Sequence, residues 1–355
     1  MSVPRLPARL FAGIVLLGLL SALAPGPARA ADDPLLLVNA NYPPSVADLE
    51  DTLAEVAGFY KEEHLAVTEQ YVANAAASFA VCSAGHADVC SADFDPLVRG
   101  YSKGLRLKLF LAHHPVYDYT LAVLADSPIK TLADFKGANI GETTAGNGSE
   151  TATNAELAGA GLHRSDYSYT PIGVGAGALA AIMAHRVDAV SFPMQELAMF
   201  NASTGVKFRM YTNPLLRDVQ NSGAAASPEI IATKPDLLRR YARAVVKAFI
   251  LVRVNPQVSA RMYLEGTHQA VTPERLATIV AEITSLEPMY PAYDLSDPRI
   301  GYMSVRGLKL YCKFVQDAGL TPTLVPGEEL VTDQFVAFAN DFDKKAFIAK
   351  VKAWR

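Results

Sequence analysis

Five carboxylates, Asp93, Asp95, Asp118, Glu150 and Glu196, and the adjacent pair His113-His114 are the residues of this chain best placed to do chemistry. Each falls where a short apolar run gives way to a loop, and these loops carry no lysine or arginine. A pocket built from them repels hard oxyanions, because uncompensated carboxylates are costly to bury and to crowd. It suits a ligand with N–H donors or positive charge. The plainer account is that these acids cap helix N-termini and face solvent. His113, His114 and Asp118 resemble a metal set only on paper, since adjacent residues on a strand point to opposite faces. One histidine is then a hydrogen-bonding ligand contact or has a plain structural role, and no metal is expected.

Enzyme motifs are weaker still. Gly173-Val-Gly-Ala-Gly-Ala178, with Glu196 about 20 residues on, imitates a dinucleotide fingerprint, but it lies in the second half of the chain and ends in alanine. A tight strand-to-helix turn is the simpler reading, and no cofactor is expected. Ser127-Pro-Ile-Lys130 fits Ser-x-x-Lys without the partner motifs of an acyl-enzyme. Neither Gly-x-Ser-x-Gly nor His-Glu-x-x-His occurs. Asp93 with His113 or His114 is the one acid/base pair on offer, so the expectation is a binding protein with no catalytic residues.

The elements that must position these residues come twice. Asp88 and Asp188 centre two similar segments, residues 80–91 and 180–191, each a helix end, a tight turn, and a short apolar strand entered through aspartate and ending at serine. Strands are expected at 35–38, 65–72, 87–90, 107–111 and 119–124, then at 139–141, 167–172 and 188–191. Helices lie between them: 46–60 carries apolar residues at spacings of three and four, Asn74 is an N-cap, and 150–160 ends at Gly161. A short helix closed by glycine is expected at 131–137. Alternating strands and helices imply a parallel sheet covered on both faces. Residues 221–227 suit a crossing segment, and helices follow at 237–254, 273–286, 304–318 and 333–342.

Residues 1–9 are short and basic, 10–23 apolar, and Ala28-Arg-Ala30 is a cleavage site, so 1–30 reads as a cleavable secretory signal. No later run reaches the roughly 20 apolar residues a span needs. A mature chain in the periplasm follows. Half the residues are hydrophobic and 19% charged, the composition of a packed globular protein. Losing three of 32 basic residues with the signal leaves 29 against 36 acidic ones, a net charge of −7, and no nucleic acid is expected. Cys82, Cys90 and Cys312 are odd in number. Cys82 and Cys90 are expected at opposite ends of their unit, beyond the roughly 7 Å that a bridge allows.

Three runs carry a resemblance: Gly58-Phe-Tyr-Lys-Glu-Glu-His-Leu-Ala-Val67, Ala125-Asp-Ser-Pro-Ile-Lys-Thr-Leu-Ala-Asp-Phe-Lys-Gly-Ala-Asn-Ile-Gly141 and Lys234-Pro-Asp-Leu-Leu-Arg-Arg-Tyr-Ala-Arg-Ala-Val-Val-Lys-Ala248. In that order they resemble the nitrate/sulfonate/taurine branch of ABC-importer solute-binding proteins (NitT/TauT), which also holds binders of thiamine pyrimidine precursors and of riboflavin. The resemblance implies a type II periplasmic binding protein fold, α/β, with two lobes and a ligand cleft between them. It also implies a small-molecule ligand delivered to an inner-membrane ABC permease and its ATPase. The corresponding division is a signal over 1–30, a first lobe over 31–120, a second lobe over 121–222, and a return to the first lobe with C-terminal helices over 223–355. A monomer is the default for a diffusing carrier.

Ligands in open α/β sheets collect outside the carboxyl ends of the strands. That rule selects Asn39, Tyr42, Ser91, Asp93, Phe94, His113 and Tyr117 in the first lobe, and Thr143, Thr144, Gly146, Gly148, Gly175, Phe192 and Glu196 in the second. Tyr42, Phe94, Tyr117 and Phe192 are flat walls for a pocket or else ordinary core. Within the resemblance, Ser91, Ala92 and Asp93 occupy a ligand-contacting turn where sulfonate binders have small hydroxyl residues, and Asp93 departs from that pattern. The solute is aminopyrimidine- or amine-like, or sulfonate- or taurine-like. The alternatives are an exported enzyme on the same fold, or a sensing partner of a membrane receptor.

Overall fold

The computed structural model describes Met1 and residues 31–40, 46, 49–114, 117–145, 149–211, 213, 216, 219, 221–285, 295 and 297–355. Met1–Ala31 and Asp32–Arg355 are separate units. The signal expected over 1–30 lies, apart from Met1, outside the described residues.

The first part of the larger unit runs β1 (Asp33–Asn39), α1 (Leu49–Val56), α2 (Phe59–Glu62), β2 (Leu65–Tyr71), α3 (Ala75–Ser83), β3 (Val89–Asp93), α4 (Phe94–Tyr101) and β4 (Lys108–His114). Next come β5 (Tyr119–Leu124), β6 (Asn139–Glu142), α5 (Ser149–Gly159), β7 (Ser168–Pro171), α6 (Gly175–Met183), β8 (Ala189–Pro193), α7 (Met194–Thr204) and β9 (Phe208–Tyr211). The chain finishes with β10 (Ser222–Ala226), α8 (Pro228–Thr233), α9 (Pro235–Val254), α10 (Pro256–Gly266), α11 (Pro273–Ser285), α12 (Val305–Asp317), α13 (Val336–Ala339) and α14 (Lys344–Lys352).

The strands form two five-stranded sheets, β2-β1-β3-β10-β4 and β7-β6-β8-β5-β9. In the first, β2 and β3 flank β1 in parallel and β10 runs antiparallel between β3 and β4; in the second, β7 and β8 flank β6 in parallel and β5 runs antiparallel between β8 and β9. Both sheets are therefore mixed rather than wholly parallel. The reason is connectivity: β5 and β10 are the points where the chain changes sheet. The alanine-rich run 221–227 makes the expected crossing as a strand, β10, every residue of which is buried. Gly223 is required there, since a Cβ would meet the Leu111 carbonyl oxygen at 2.3 Å.

The repeat legible in the sequence is a hydrogen-bonding unit. Asp88 accepts the Leu36 N–H at 2.9 Å through Oδ2 while its own N–H donates to the Leu36 carbonyl at 3.0 Å. Asp188 accepts the Asn139 N–H at 2.8 Å and donates to the Asn139 carbonyl at 2.8 Å. The aspartates thus lock β3 to β1 and β8 to β6.

Leu35 and Leu37 of β1 are buried against α9, whose Leu238, Tyr241, Val245 and Ile250 share their core. Asn74 caps α3 by accepting the Ala77 N–H at 3.0 Å, as its residue type predicts. Residues 46–60 do not make one helix: Gly58, at φ 76°, breaks the run between α1 and α2. Residues 131–137 form a 3-10 turn over Leu132–Phe135, not an α-helix. The expected helix over 333–342 shrinks to α13, and α10 and α14 were not expected.

The cysteine expectation is overturned. Cys82 and Cys90 form a disulfide with Cα atoms 6.2 Å apart. The third strand begins at Val89 rather than 87, so Cys90 lies one residue inside its start and faces the last turn of α3. Cys312 is a free, buried thiol, pushed up to about 12 by burial.

Candidate functional site

The two chain crossings meet at the carboxyl ends of β3 and β8. Ser222 pairs with Asp93, and Tyr119 with Pro193. The residue before each crossing strand closes a helix N-terminus of its own sheet: the Asn221 carbonyl accepts the Phe94 N–H of α4 at 2.7 Å, and the Asp118 carbonyl accepts the Met194 N–H of α7 at 2.7 Å. The side chains then join. Asn221 Nδ2 donates to Asp118 Oδ1 at 2.6 Å, and Gln195 Nε2 of α7 donates to Asp118 Oδ2 at 3.0 Å.

A second bridge runs between elements of the two sheets. Asp95, in the first turn of α4, accepts from Thr151 of α5 at 2.7 Å and from Tyr311 of α12 at 2.7 Å, and pairs with Arg99 at 3.0 Å. Its exposure is 1%, and burial pushes its carboxyl up despite the opposing pull of Arg99, Thr151 and Tyr311. It is a structural joint, not a solvent-facing cap.

The expected contacts fall as follows. Asn39, at the end of β1, donates through Nδ2 to Glu69 and is fully buried. Ser91 Oγ and His113 Nδ1 lie 3.1 Å apart, both buried. Asp93 accepts from the Tyr119 hydroxyl at 3.3 Å. Tyr117 stacks obliquely on Tyr119 and on Tyr311, at 6.0 and 6.1 Å between centroids, and Phe94 meets Tyr311 at 5.6 Å. Thr143 is half-buried and Thr144 exposed in the loop after β6. Phe192 is fully buried among Ala178, Val190, Leu197 and Phe200, which makes it core rather than a pocket wall. Tyr42, Gly146 and Gly148 lie outside the described residues.

Gly175 and Glu196 explain each other. Glu196 Oε1 accepts the Gly175 N–H at 2.5 Å, so a carboxylate of the chain itself sits at the α6 N-terminus where a dinucleotide phosphate would have to bind. Burial pushes that carboxyl up to about 7, while the Gly175 hydrogen bond pulls the other way.

Gln195 and Asn221 lie in the strand-end loops 191–196 and 221–223 that the sequence selects, whereas residue-type reasoning overlooked Glu142. Glu142 is the last residue of β6, one place beyond the expected strand, and its carboxyl is pushed up to about 8 by burial and by Glu150 beside it. Four of the described polar atoms that are buried without a hydrogen-bond partner are Asn39 Oδ1, His113 Nε2, Gln195 Oε1 and Asn221 Oδ1, all at carboxyl ends of strands, the helix turns that follow or a chain crossing. Negative charge is concentrated here: burial, then Asp93 and Asp118, push the Tyr119 hydroxyl well up. A cavity of about 370 Å³ lies at the opposite end of the second sheet, lined by Asp126, Lys136, His185, Asp188 and Phe208. Asp188 precedes β8, which places that cavity away from the strands' carboxyl ends. No group of three or more metal-ligating side chains occurs among the described residues.

Two mixed sheets of one strand order, each completed by a strand at a chain crossing, define the type II periplasmic-binding-protein fold. Within it, the chain belongs to the NMT1/THI5-like family, whose model matches residues 51–259. It is 21% identical over 305 residues to the riboflavin-binding protein RibY of Chloroflexus aurantiacus, covering 83% of this chain and 84% of that one. The alkanesulfonate-binding protein SsuA of Xanthomonas axonopodis pv. citri, bound to MOPS, superposes with a TM-score of 0.63 at 15% identity, over 85% of this chain and 99% of that one. The desulfurization enzyme DSZB also shares the fold, with a TM-score of 0.52 at 15% identity over 86% of this chain and 98% of that one.

Proposed function

We propose that the mature chain is the solute-binding component of an ABC importer, capturing a small organic molecule where the carboxyl ends of the two sheets meet. The lobes are residues 31–120 and 121–222, with 223–355 returning to the first; residues 1–30 direct export to the periplasm and are removed. The observation that carries this reading is the pair of crossings, where Asp118 and Asn221 tie α4, α7, β5 and β10 to one point. A ligand bridging that point has differential affinity for the closed arrangement, and a permease with its ATPase distinguishes closed from open. Among the described residues no helix is long and apolar enough to cross a membrane. The carrier acts as a monomer.

The test is small-angle scattering and thermal unfolding of ligand-stripped mature protein, followed by ATPase assays with the reconstituted permease. A bound solute lowers the radius of gyration and, at about 100 times its dissociation constant, adds roughly 2.7 kcal/mol of stability. A solute that raises the melting temperature without compaction or ATPase stimulation counts against the importer reading.

One observation favours a second reading, an exported enzyme. Ser91 and His113 form a hydroxyl–imidazole pair at 3.1 Å, the contact a general base makes with a nucleophile. Ser91 is an inner residue of β3 at 4% exposure, which gives a substrate carbonyl little room to approach. Turnover of a bound ligand that is abolished in Ser91→Ala would establish the enzyme; binding without turnover leaves the carrier.

A further inference from the structure

The amides at the crossing have only one workable orientation. An ionised carboxylate accepts hydrogen bonds and cannot donate them. Asp118 therefore requires the NH2 groups, not the carbonyls, of both Asn221 and Gln195, at 2.6 and 3.0 Å. The Asn39 NH2 likewise faces the Glu69 carboxyl. The consequence is directional: three carbonyl oxygens, Asn221 Oδ1, Gln195 Oε1 and Asn39 Oδ1, point away from their carboxylates, buried and without a donor. Asn221 is 3% exposed and Asn39 fully buried. Buried acceptors left unpaired cost about 1–3 kcal/mol each, so a native site that keeps them this way is built to receive donors.

Charge points in the same direction. The segments that make the crossing, 91–95, 113–119, 191–196 and 221–223, contain Asp93, Asp95, Asp118 and Glu196 and no lysine or arginine. Asp95 is neutralised by Arg99. Asp93 accepts from the Tyr119 hydroxyl, and the Tyr119 ring packs on Tyr117.

We propose that the cleft selects a cationic nitrogen base, a protonated amine or amidinium, whose N–H groups are accepted by the Asn221 and Gln195 carbonyl oxygens beside Asp93 and Asp118. The assignment rests on the solute-binding reading and names its ligand class. It separates this chain from a sulfonate site: an oxyanion brings only acceptors to a surface of acceptors and negative charge.

The experiment is isothermal titration of ligand-stripped mature protein with agmatine and putrescine, against 1-propanesulfonate and riboflavin, with native mass spectrometry of the protein as purified. The expected result is binding of a cation at least tenfold tighter than either comparator, and at least a tenfold loss in Gln195→Met, whose side chain keeps its length but has no carbonyl. The variant also loses the donor to Asp118, so its unliganded melting temperature should fall by a few degrees while it stays folded at the titration temperature, which separates lost binding from lost folding. Tighter binding of propanesulfonate or riboflavin overturns the ligand class and leaves the solute-binding reading standing. If no probe binds, the co-purified molecule decides: a nitrogen base supports the assignment and an acid or neutral compound overturns it. No binding and no co-purified molecule defeats the solute-binding reading itself.

Discussion

Asp95 shows how far a residue's role depends on what surrounds it. From sequence it was one of several acids at a helix start, equally suited to capping or to ligand contact. The structure gives it Thr151, Tyr311 and Arg99, three partners from well-separated stretches of the chain. Removing one member of such a buried set costs about 3–5 kcal/mol, because the remaining groups lose their partner. Asp95→Ala should lower the urea midpoint accordingly, and Asp95→Asn by less, since the amide oxygen still accepts one bond; equal midpoints for the parent and both variants would refute the joint. Asp93 is a different case. It is half-buried, and the Tyr119 hydroxyl donates to it. Asp93→Ala should weaken solute binding by about 1–3 kcal/mol, read by titration calorimetry, if it accepts a ligand hydrogen bond. The site's acidity was legible from residue types alone. The amide orientations were not, because they depend on which carboxylate each side chain meets far along the chain: Glu69 for Asn39, and Asp118 for both Gln195 and Asn221.

At the level of elements, strand and helix types were readable where apolar periodicity was strong, and boundaries were not. The disulfide was missed for that reason. Two residues of error at the start of β3 moved Cys90 from the near end of the strand to the far one. The bridge closes a short loop, for which chain-entropy arguments give on the order of 2–3 kcal/mol. Reduction, or Cys82→Ala with Cys90→Ala, should lower the melting temperature of the mature protein by several degrees; an unchanged value would mean the thiols do not pair in solution. Helix α10 escaped notice although Asn255-Pro256 is a start signal, with Asn255 accepting the Val258 N–H at 3.3 Å. Its apolar residues are interspersed with Gln257, Arg261 and Glu265, so no clean stripe announces it. Helix α14 is similar, with only Phe347 and Val351 buried.

For the whole molecule, the internal repeat was the most reliable signal in the sequence, since Asp88 and Asp188 keep their roles 100 residues apart. What single-chain reasoning could not supply was the mixed direction of the sheets, which follows from long-range connectivity. The molecule also carries a pH dependence. Burial pushes Glu69, Glu196 and Glu282 up to about 7, and Glu142 and Glu156 up to about 8, from an ordinary 4.5. These groups hold protons more tightly folded than unfolded. Their contribution is therefore complete below pH 4.5 and is lost as pH rises through 7 to 8. The melting temperature of unliganded protein should fall between about pH 5 and pH 8, and Glu156→Gln should flatten part of that slope. A melting temperature that rises over this range would contradict these shifts.

The placement of β10 bears on how the protein can be made. Every strand of the second sheet comes from the continuous stretch 119–211, so that half can close as soon as it has emerged. The first sheet cannot: the slot between β3 and β4 waits for residues 222–226, more than 100 residues after β4 is complete. Until then, β3 and β4 each hold out an unpaired backbone edge, the template on which chains aggregate. A truncation ending before Ser222 makes that exposure permanent.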